Sequence, residues 1–259
     1  MDIIISIVLA IILIFATIKK KAFTPTAAIS AGVILLTAAI CASYAGIFIV
    51  ITAYSVIFAV DLAIGRKTAK ISSQINQKQG ARDIVQVLAN ALAATIALVI
   101  GKILVNDMFT VVYAIALTEC LADSLASDIG VLSKKDPIDI CRFRRVKRGL
   151  SGGVSLLGTL SAFLGCLFMS IFTIIFFGFD LKIFLSILLI PMLGVFTDSV
   201  LGSLVQVKYT CSVCQKPTEK KQHCGEACLH TGGLKLINND AVNIISNFLT
   251  AAVAVIILI

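Results

Sequence analysis

The stretch from Glu119 to Thr159 decides the fold class of this chain. It begins with ECLADSLASDIG (119–130), continues through the basic run RFRRVKRG (142–149) and ends with the glycine-rich SGGVSLLGT (151–159). The first and last pieces lie in hydrophobic sequence, and carboxylates within a membrane segment are costly and therefore mark candidate functional sites. Buried acids beside a basic loop and a glycine-rich helix start predict a membrane protein that handles phosphates and a divalent metal.

The composition also indicates an integral membrane protein. The 259 residues are 59% hydrophobic and 14% charged, with a mean hydropathy of +1.03, and a soluble core of this size does not need so many apolar residues. The first apolar segment, 3–18, is followed rather than preceded by its lysines, Lys19 to Lys21. Because a signal peptide has the opposite polarity, this segment is interpreted as a retained anchor.

Eight apolar segments approach the length of about 20 residues that spans a bilayer. They are 3–18, 25–43, 45–64, 84–105, 109–128, 154–178, 181–206 and 241–259. The predicted fold is therefore an all-α, polytopic transmembrane helix bundle of about eight spans. No linker divides the sequence, so residues 1–259 are expected to form a single membrane domain, in which the helices of 1–64 precede the catalytic helices of 65–259.

The positive charges predict the topology. The loops 19–24, 65–83, 129–153 and 207–240 hold every Lys and Arg except Lys102 and Lys182, and the turns between the alternate segments are short. The positive-inside rule places these four loops in the cytoplasm and both termini outside. The net charge of +8 is therefore attributed to topology, and no nucleic-acid partner is expected. The absence of eukaryotic targeting signals and the compact size favour the plasma membrane of a prokaryote.

With this topology, several acidic residues lie near the cytoplasmic ends of their helices. Glu119 and Asp123 are four residues apart and share a helix face, and Asp128 follows one turn later. Asp198, followed by Ser199, repeats the Asp-Ser context of Asp123. Carboxylate ligands with hydroxyl neighbours suit Mg²⁺, so we expect Asp123, Asp198 and Asp128 to hold this ion, with Glu119 assisting. The alternative is that the carboxylates pair with Lys or Arg and lock helices together.

Phosphate binding is predicted where the basic loop meets the next helix. A helix N-terminus that follows glycines offers free N–H groups and a positive dipole end to an anion. The candidates here are Arg144, Arg145, Lys147, Arg148, Ser151, Gly152, Gly153, Ser155 and Thr159. The alternative is an ordinary positive-inside cluster that touches anionic lipid headgroups.

Two further predicted helices begin with polar residues at the same level of the membrane, near the cytoplasmic face. The candidate phosphate- or nucleotide-binding residues there are Arg82, Asp83, Gln86 and Asn90 at the first, and Asn239, Asp240 and Asn243 at the second, together with Ser199 beside Asp198. Their spacings of three or four residues place them on one helix face. Four helices are thus predicted to direct polar groups to one region at the cytoplasmic face.

Five ordered motifs resemble the transmembrane protein 19 family, which includes the plant phytyl-phosphate kinase. They are QGARDIVQVLAN (79–90), ADSLASDIG (122–130), GLSGGVSLLGT (149–159), DSVLGSLVQ (198–206) and LINNDAVNIISN (236–247). The resemblance covers about residues 60–259. It implies a membrane enzyme that transfers a phosphoryl group from a nucleoside triphosphate, CTP or ATP, to an isoprenoid monophosphate and gives the diphosphate. A looser similarity to CTP-dependent polyprenol kinases supports CTP as the donor.

The chain departs from the family pattern at two places. It has Ser127-Asp128 where the family more usually has Ser/Thr-Glu, and Arg148-Gly149-Leu150 where Pro-Gly-Thr is more usual. The first change shortens the reach of a carboxylate, and the second removes a hydroxyl group. The substrate of a relative therefore does not transfer directly to this chain.

Two other function classes fit some of the same residues. A secondary transporter also carries intramembrane carboxylates, but these lie near the midplane of the membrane rather than at one face. A cytidylyltransferase that acts on a lipid phosphate would use the same triphosphate and release pyrophosphate. Product analysis separates it from a kinase.

The last basic loop contains a cysteine and histidine cluster. Its members are Cys211, Cys214, His223, Cys224, Cys228 and His230. This spacing is typical of a structural zinc site formed by four of the six residues, and a reducing cytoplasm disfavours disulfides. The alternatives are chance thiols or a redox pair.

Overall fold

The computed structural model describes residues 2–75, 77–78 and 80–259 and is mainly helical. The helices that it describes are α1 (Asp2–Lys19), α2 (Pro25–Ser72), α3 (Ile84–Leu104), α4 (Met108–Gly130), α5 (Leu156–Phe177), α6 (Leu181–Leu204) and α7 (Asn239–Leu258). Five of them begin at a side-chain cap, in which Thr24, Asp83, Ser155, Asp180 or Asn238 accepts a hydrogen bond from a backbone N–H of the first turn. Such caps satisfy donors that a helix start would otherwise leave unpaired.

Helix α2 contains a reversal of the chain. Ala42 and Ser43 leave helical geometry, and Ser43 has a φ of 50°. A Cβ atom on Gly46 would lie 2.5 Å from the carbonyl oxygen of Ala38, a proximity that a straight helix does not allow because these residues would be about 12 Å apart along its axis. The element is therefore a pair of helices joined by the short turn that the sequence predicted at 43–45.

The all-α, polytopic fold is confirmed, and about eight spans agrees with the structure. Among the described residues, six helices are long and apolar enough to cross a membrane. This number counts α2 once, although α2 is a pair of helices, and it leaves out α1, whose apolar part is shorter. The second half of α2 corrects a predicted boundary, since it continues to Ser72 instead of ending at residue 64. From residue 44 it extends about 43 Å, longer than the roughly 30 Å hydrocarbon core, so it is long enough for its charged end to project beyond the bilayer.

Helix α4 is the centre of the bundle. It packs against α2, α3, α5, α6 and α7, and every residue from 111 to 122 is buried. Small residues allow this close packing, as a Cβ atom on Gly158 of α5 would lie 2.8 Å from the carbonyl oxygen of Ala126. Glu119, the acidic residue within this buried stretch, therefore faces other helices rather than lipid.

Two long loops at one end of the bundle are folded into short strands that the sequence did not predict. In the first, β1 (Ile138–Asp139) pairs antiparallel with β2 (Gly153–Val154). In the second, β3 (Lys208–Thr210) pairs with β4 (Pro217–Thr218) and β7 (Leu229–Gly232), and β5 (Gln222–His223) pairs with β6 (Glu226–Ala227). We call the end that carries these loops and the loop 73–83 the charged end.

Candidate functional site

The main cavity lies at the charged end and has a volume of about 280 Å³. Its walls come from the last turns of α4, the C-terminal half of α6, the first turns of α3, α5 and α7, and the glycine-rich loop. Fifteen of the residues singled out in the sequence line it: Arg82, Gln86, Asn90, Asp123, Asp128, Ser151, Gly152, Gly153, Ser155, Thr159, Asp198, Ser199, Asn239, Asp240 and Asn243. The fold thus brings together residues that lie up to 161 positions apart between Arg82 and Asn243.

Three helices supply the carboxylates of the cavity, and α7 contributes Asp240. Asp123 comes from α4 and Asp198 from α6, and both line the same cavity. Among the described residues, neither forms an ion pair with a Lys or Arg side chain. Asp128 lies about one turn beyond Asp123 and interacts electrostatically with the positive charge of Arg82. The helix-locking alternative therefore has no ion pair to support it at Asp123 or Asp198.

Helix α7 holds Asp198 from the side. The Ser246 hydroxyl lies 3.4 Å from Asp198 Oδ2 and 3.0 Å from Glu119 Oε1. The side-chain amide of Asn243 is oriented so that its nitrogen faces two oxygen acceptors. This nitrogen donates to Asp198 Oδ2 at 3.1 Å and to the Asn239 carbonyl at 3.0 Å. These contacts fix the orientation of the Asp198 carboxylate toward the cavity.

Glu119 lies behind the cavity rather than in its wall. Its side chain is buried, with the residue 3% exposed, and its Oε2 accepts a hydrogen bond of 2.6 Å from Asn247 Nδ2. Ser246 contacts both Glu119 and Asp198, so Glu119 can assist the cavity carboxylates only through this contact. Glu119 supports the wall from behind.

The glycine-rich loop packs directly against the C-terminal end of α6. Gly152 has a φ of 84°, and a Cβ atom there would lie 2.5 Å from the backbone N and Cα of Ser203. A side chain is therefore excluded both by backbone conformation and by space. Immediately after this loop, Ser155 caps α5 by accepting from Gly158 N at 3.1 Å. The N-terminus of α5 is thereby fixed at the cavity, where its dipole favours an anion.

Asp139 anchors the loop between α4 and α5. Its buried carboxylate accepts hydrogen bonds from Ser203 Oγ at 2.6 Å and from the backbone N–H groups of Cys141 and Arg142. Burial alone would raise the pKa of Asp139, but these hydrogen bonds, that of Ser203 foremost, outweigh it and lower the pKa to about 2. This role could not be predicted from the sequence, because Asp139 lies in a loop without a recognisable motif.

Glu219 holds the same glycine-rich loop from the opposite side. Its Oε1 accepts hydrogen bonds from Ser151 N at 3.1 Å and from Ser151 Oγ at 2.5 Å. Burial raises the pKa of Glu219, and the hydrogen bonds from Ser151 act in the opposite direction. In the sequence, Glu219 belongs to the charged run PTEKK, which is typical of a solvated loop, so periodicity and motif searches miss it.

The sequence predicts that the basic residues 144–148 line the phosphate site, but in the structure they do not reach the main cavity. Arg144, Arg145, Lys147 and Arg148 are not among its lining residues. Arg145 donates to the Asp136 carbonyl at 3.3 Å, and Arg148 donates to the Ser133 carbonyl at 3.0 Å. Arg144 and Arg145 are exposed, and Lys147 and Arg148 are half-buried.

Arg82 is the cation of the main cavity, as far as the described residues show. Its backbone is fixed by two hydrogen bonds to the α1–α2 connection, from Thr24 N to its carbonyl at 2.9 Å and from its own N–H to the Ala22 carbonyl at 2.8 Å. Its neighbour Asp83 does not line the cavity. Asp83 caps α3, with its Oδ1 accepting from Gln86 N and its N–H donating to Gln86 Oε1, both at 3.0 Å.

A lysine joins the starts of α3 and α7. Lys78 Nζ lies 2.6 Å from Asp83 Oδ2 and 2.5 Å from Asp240 Oδ2. Burial opposes the charge, but the hydrogen bonds to Asp240 and Asp83 dominate and raise the pKa of Lys78. This role of Lys78 could not be predicted from the sequence, since a single lysine in a basic loop has no distinguishing pattern.

The cysteine and histidine cluster forms a compact group of four residues. The ligand atoms of Cys211, Cys214, His223 and Cys224 all lie within 4.8 Å of one another. His223 Nδ1 is 3.5 Å from Cys214 Sγ and 3.1 Å from Cys224 Sγ. Cys228 and His230 are not in this group, and His230 Nε2 instead contacts the Gly233 carbonyl at 3.1 Å. Three thiols and one imidazole fit the donor set of structural zinc.

The fold and the cavity define a polytopic helical membrane protein with a carboxylate-lined polar site at one end of its bundle. The chain belongs to the family described as integral membrane protein DUF92, whose sequence model matches residues 8–251. This match and the plant relative below confirm the family resemblance indicated by the motifs.

Two relatives illustrate the range of this similarity. Protein PGR of Arabidopsis thaliana is 29% identical over 197 residues, which cover 66% of this chain and 67% of the relative. The uncharacterized membrane protein MJ0933 of Methanocaldococcus jannaschii is 29% identical over 127 residues, which cover 49% of this chain and 52% of the relative. The chain thus spans about half the length of the archaeal relative. No solved structure matches the chain.

Proposed function

We propose that this protein is a Mg²⁺-dependent membrane kinase. It transfers a phosphoryl group from a nucleoside triphosphate, CTP or ATP, to an isoprenoid monophosphate and gives the diphosphate. The observation that carries the proposal is the meeting of Asp123 and Asp198, from separate helices, in one cavity beside a glycine-rich helix start. Phosphoryl transfer needs mainly positioning and charge stabilisation, so a metal and fixed cations suffice without a covalent nucleophile.

The charge of the cavity supports a divalent cation. Asp123, Asp128, Asp198 and Asp240 line it together with one cation, Arg82, and only Asp240 has an ion-pair partner, Lys78, in the described part of the chain. Neighbouring carboxylates repel each other unless a cation lies between them or one is protonated. We propose that Asp123 and Asp198 hold Mg²⁺ and that Asp128 contributes from one turn away. When bound, the ion would neutralise and orient the phosphates of the donor.

The proposed phosphate site lies beside these carboxylates. We propose that Arg82, the Gly152–Gly153 backbone and the N-terminus of α5 bind the transferred group. The hydroxyl groups of Ser151, Ser155 and Thr159 line the same wall. The exposed Arg144 and Arg145, with Lys147 and Arg148, act at longer range and attract the polyanionic nucleotide to the charged end.

The acceptor would approach from the membrane side. Met192, Val195 and Phe196 line the cavity on α6, within two helical turns of Asp198. An isoprenoid tail can pack against this apolar part of the wall while its phosphate reaches the carboxylates. A water-soluble phosphate acceptor would gain nothing from such a wall, which supports a lipid acceptor.

The assay uses purified protein in lipid nanodiscs with CTP or ATP labelled at the γ-phosphate and a prenyl monophosphate. We expect Mg²⁺-dependent transfer of the label to the lipid, with release of the nucleoside diphosphate. Asp107→Asn is the matched control, because Asp107 is exposed and lies at the opposite end of α4. Release of pyrophosphate with a cytidylyl-lipid product would instead identify a cytidylyltransferase. If the wild-type protein transferred no label from either CTP or ATP, the kinase proposal would be contradicted.

We also propose that Cys211, Cys214, His223 and Cys224 bind one structural Zn²⁺. The ion would join the β3–β4 hairpin to the β5–β6 hairpin, because Cys211 and Cys214 follow β3 whereas His223 ends β5 and Cys224 follows it. The second loop would thereby keep the shape that presents Glu219 to Ser151. Structural zinc commonly supplies much of the folding free energy of such small loops.

Elemental analysis tests the zinc proposal. We expect about one zinc per chain in the purified protein, a loss of at least half of it in Cys211→Ser, and faster proteolysis between residues 211 and 230 after chelation. Cys41→Ser is the control, since Cys41 lies in α2, outside the cluster. An equal zinc content in the wild type and in Cys211→Ser would contradict the assignment.

A further inference from the structure

The loop 207–240 contacts two other loops of the charged end. On one side, Glu219 N donates to the Ile75 carbonyl at 3.0 Å, and Thr218 Oγ1 donates to the same oxygen at 3.1 Å. On the other side, Glu219 Oε1 accepts from the backbone and the hydroxyl group of Ser151. Thr218 and Glu219 are 1% and 5% exposed, so these contacts belong to the packed interior rather than to the surface.

Ser151 directly precedes the Gly152–Gly153 turn of the proposed phosphate site. The other side of this turn is packed against α6, since a Cβ atom on Gly202 would lie 2.9 Å from Gly152 N. The turn is thus held between α6 and Glu219. A carboxylate close to an anion site repels the anion. The position of Glu219 is therefore explained by what it does to the loop, because both donors of Ser151 are directed to it.

A short hairpin connects Glu219 to the cysteine and histidine cluster. Strand β3 ends at Thr210, directly before Cys211, and β4 ends one residue before Glu219. The two strands are antiparallel, with Thr210 opposite Pro217, and Cys211 N donates to the Lys216 carbonyl at 3.0 Å. A hairpin of such short strands has little stability of its own. Its geometry therefore depends on the cluster that begins at Cys211.

We propose that Glu219 is a positioning residue of the phosphate site and that it makes phosphate affinity depend on the cysteine and histidine cluster. Since the phosphate site and the zinc site are themselves proposed above, this inference rests on both. With zinc bound, the β3–β4 hairpin holds Glu219 against Ser151, and the Gly152–Gly153 backbone keeps the shape that receives a phosphate. Without zinc, the turn is held only from the side of α6.

The first test measures the binding of inorganic tripolyphosphate with Mg²⁺, by calorimetry on the full-length protein in nanodiscs. We expect Glu219→Ala to weaken binding about tenfold, the effect of about one lost hydrogen bond. Glu219→Gln keeps an oxygen that accepts from Ser151 and should recover most of the affinity. Glu226→Ala is the matched control, because Glu226 is an exposed glutamate of the same loop.

Mn²⁺ binding without phosphate separates positioning from a general loss of structure. Asp123 and Asp198 are fixed by α4 and α6 rather than by the loop 207–240. We therefore expect Glu219→Ala to bind Mn²⁺ with nearly the affinity of the wild type. A variant that is merely destabilised would lose Mn²⁺ and tripolyphosphate binding together.

Cys211→Ser tests the dependence on the cluster. We expect this variant to weaken tripolyphosphate binding about as much as Glu219→Ala does. The double variant should bind no more weakly than Glu219→Ala alone, since both changes remove the same contact and are not additive. Cys41→Ser, outside the cluster, should bind like the wild type.

Five results would overturn the inference and leave the kinase proposal standing. They are unchanged tripolyphosphate binding in Glu219→Ala, tighter binding in both Glu219 variants, wild-type binding in Cys211→Ser, additive losses in the double variant, and a parallel loss of Mn²⁺ binding in Glu219→Ala. A wild type that binds no tripolyphosphate would overturn the proposed phosphate site together with the inference. The label-transfer assay decides the kinase activity separately.

Discussion

Asp123→Asn and Asp198→Asn are each expected to lower kcat for phosphoryl transfer about a thousandfold, since a divalent ion supplies several kcal/mol of charge stabilisation in such a transition state. The amide keeps the size of the side chain but removes the charge that holds the ion. Both carboxylates line the main cavity without an ion-pair partner among the described residues. Removing one of them therefore relieves repulsion, and the folded protein should survive the change.

Stability separates this expectation from a structural role. If the carboxylates only locked helices together, the two variants would unfold at lower temperature and lose activity in proportion. We expect unfolding temperatures at or above that of the wild type, together with loss of turnover, and near-wild-type turnover in Asp107→Asn. Turnover within threefold of the wild type in both cavity variants would exclude a catalytic metal at these residues.

Arg82→Gln is expected to lower kcat about a hundredfold, because one fixed donor or cation at a developing charge is commonly worth two to three orders of magnitude. Arg82 is the cation that lines the main cavity in the described structure. Its two backbone hydrogen bonds, with Ala22 and Thr24, do not involve the side chain and persist in the variant. The loss should therefore appear in catalysis rather than in folding.

Arg82→Lys refines this prediction. Lysine keeps the charge but loses the planar fork of donors that binds a phosphate through two contacts, so we expect it to recover part of the activity. Arg66→Gln is the control, since Arg66 is exposed on the projecting end of α2. Steady-state kinetics with CTP as the varied substrate check all three variants. Equal activity of Arg82→Gln and Arg66→Gln would show that Arg82 does not contact the transferred group.

Much of the fold follows from local patterns in the sequence. Apolar segments and alternating basic loops predict the number of helices, and the turn predicted at 43–45 is the reversal at Ala42 and Ser43. The projecting end of α2 was missed because its charged residues, Arg66 to Lys70, resemble a loop in hydropathy although they have good helix propensity. The short strands were missed because pairs of two to four residues carry no periodicity.

The candidate site divides in the same way. Asp123, Asp198 and the residues at three helix starts could be predicted, because an unusual polar residue in an apolar helix is a local signal. Glu219, Lys78 and Asp139 could not, since their roles depend on contacts with Ser151, Asp240 and Ser203 that are distant in sequence. The placement of the basic loop could not be predicted for the same reason, since Arg145 and Arg148 donate to the carbonyls of Asp136 and Ser133, which are distant in sequence.

The most direct test of the metal site is a titration with Mn²⁺, a paramagnetic substitute for Mg²⁺, followed by electron paramagnetic resonance on the zinc-loaded protein. We expect one bound Mn²⁺ per chain in the wild type and in Asp107→Asn, displaced by Mg²⁺, with affinity at least tenfold weaker in Asp123→Asn and in Asp198→Asn. Mn²⁺ binding of wild-type affinity in both cavity variants would contradict the claim that these two carboxylates hold one ion between them.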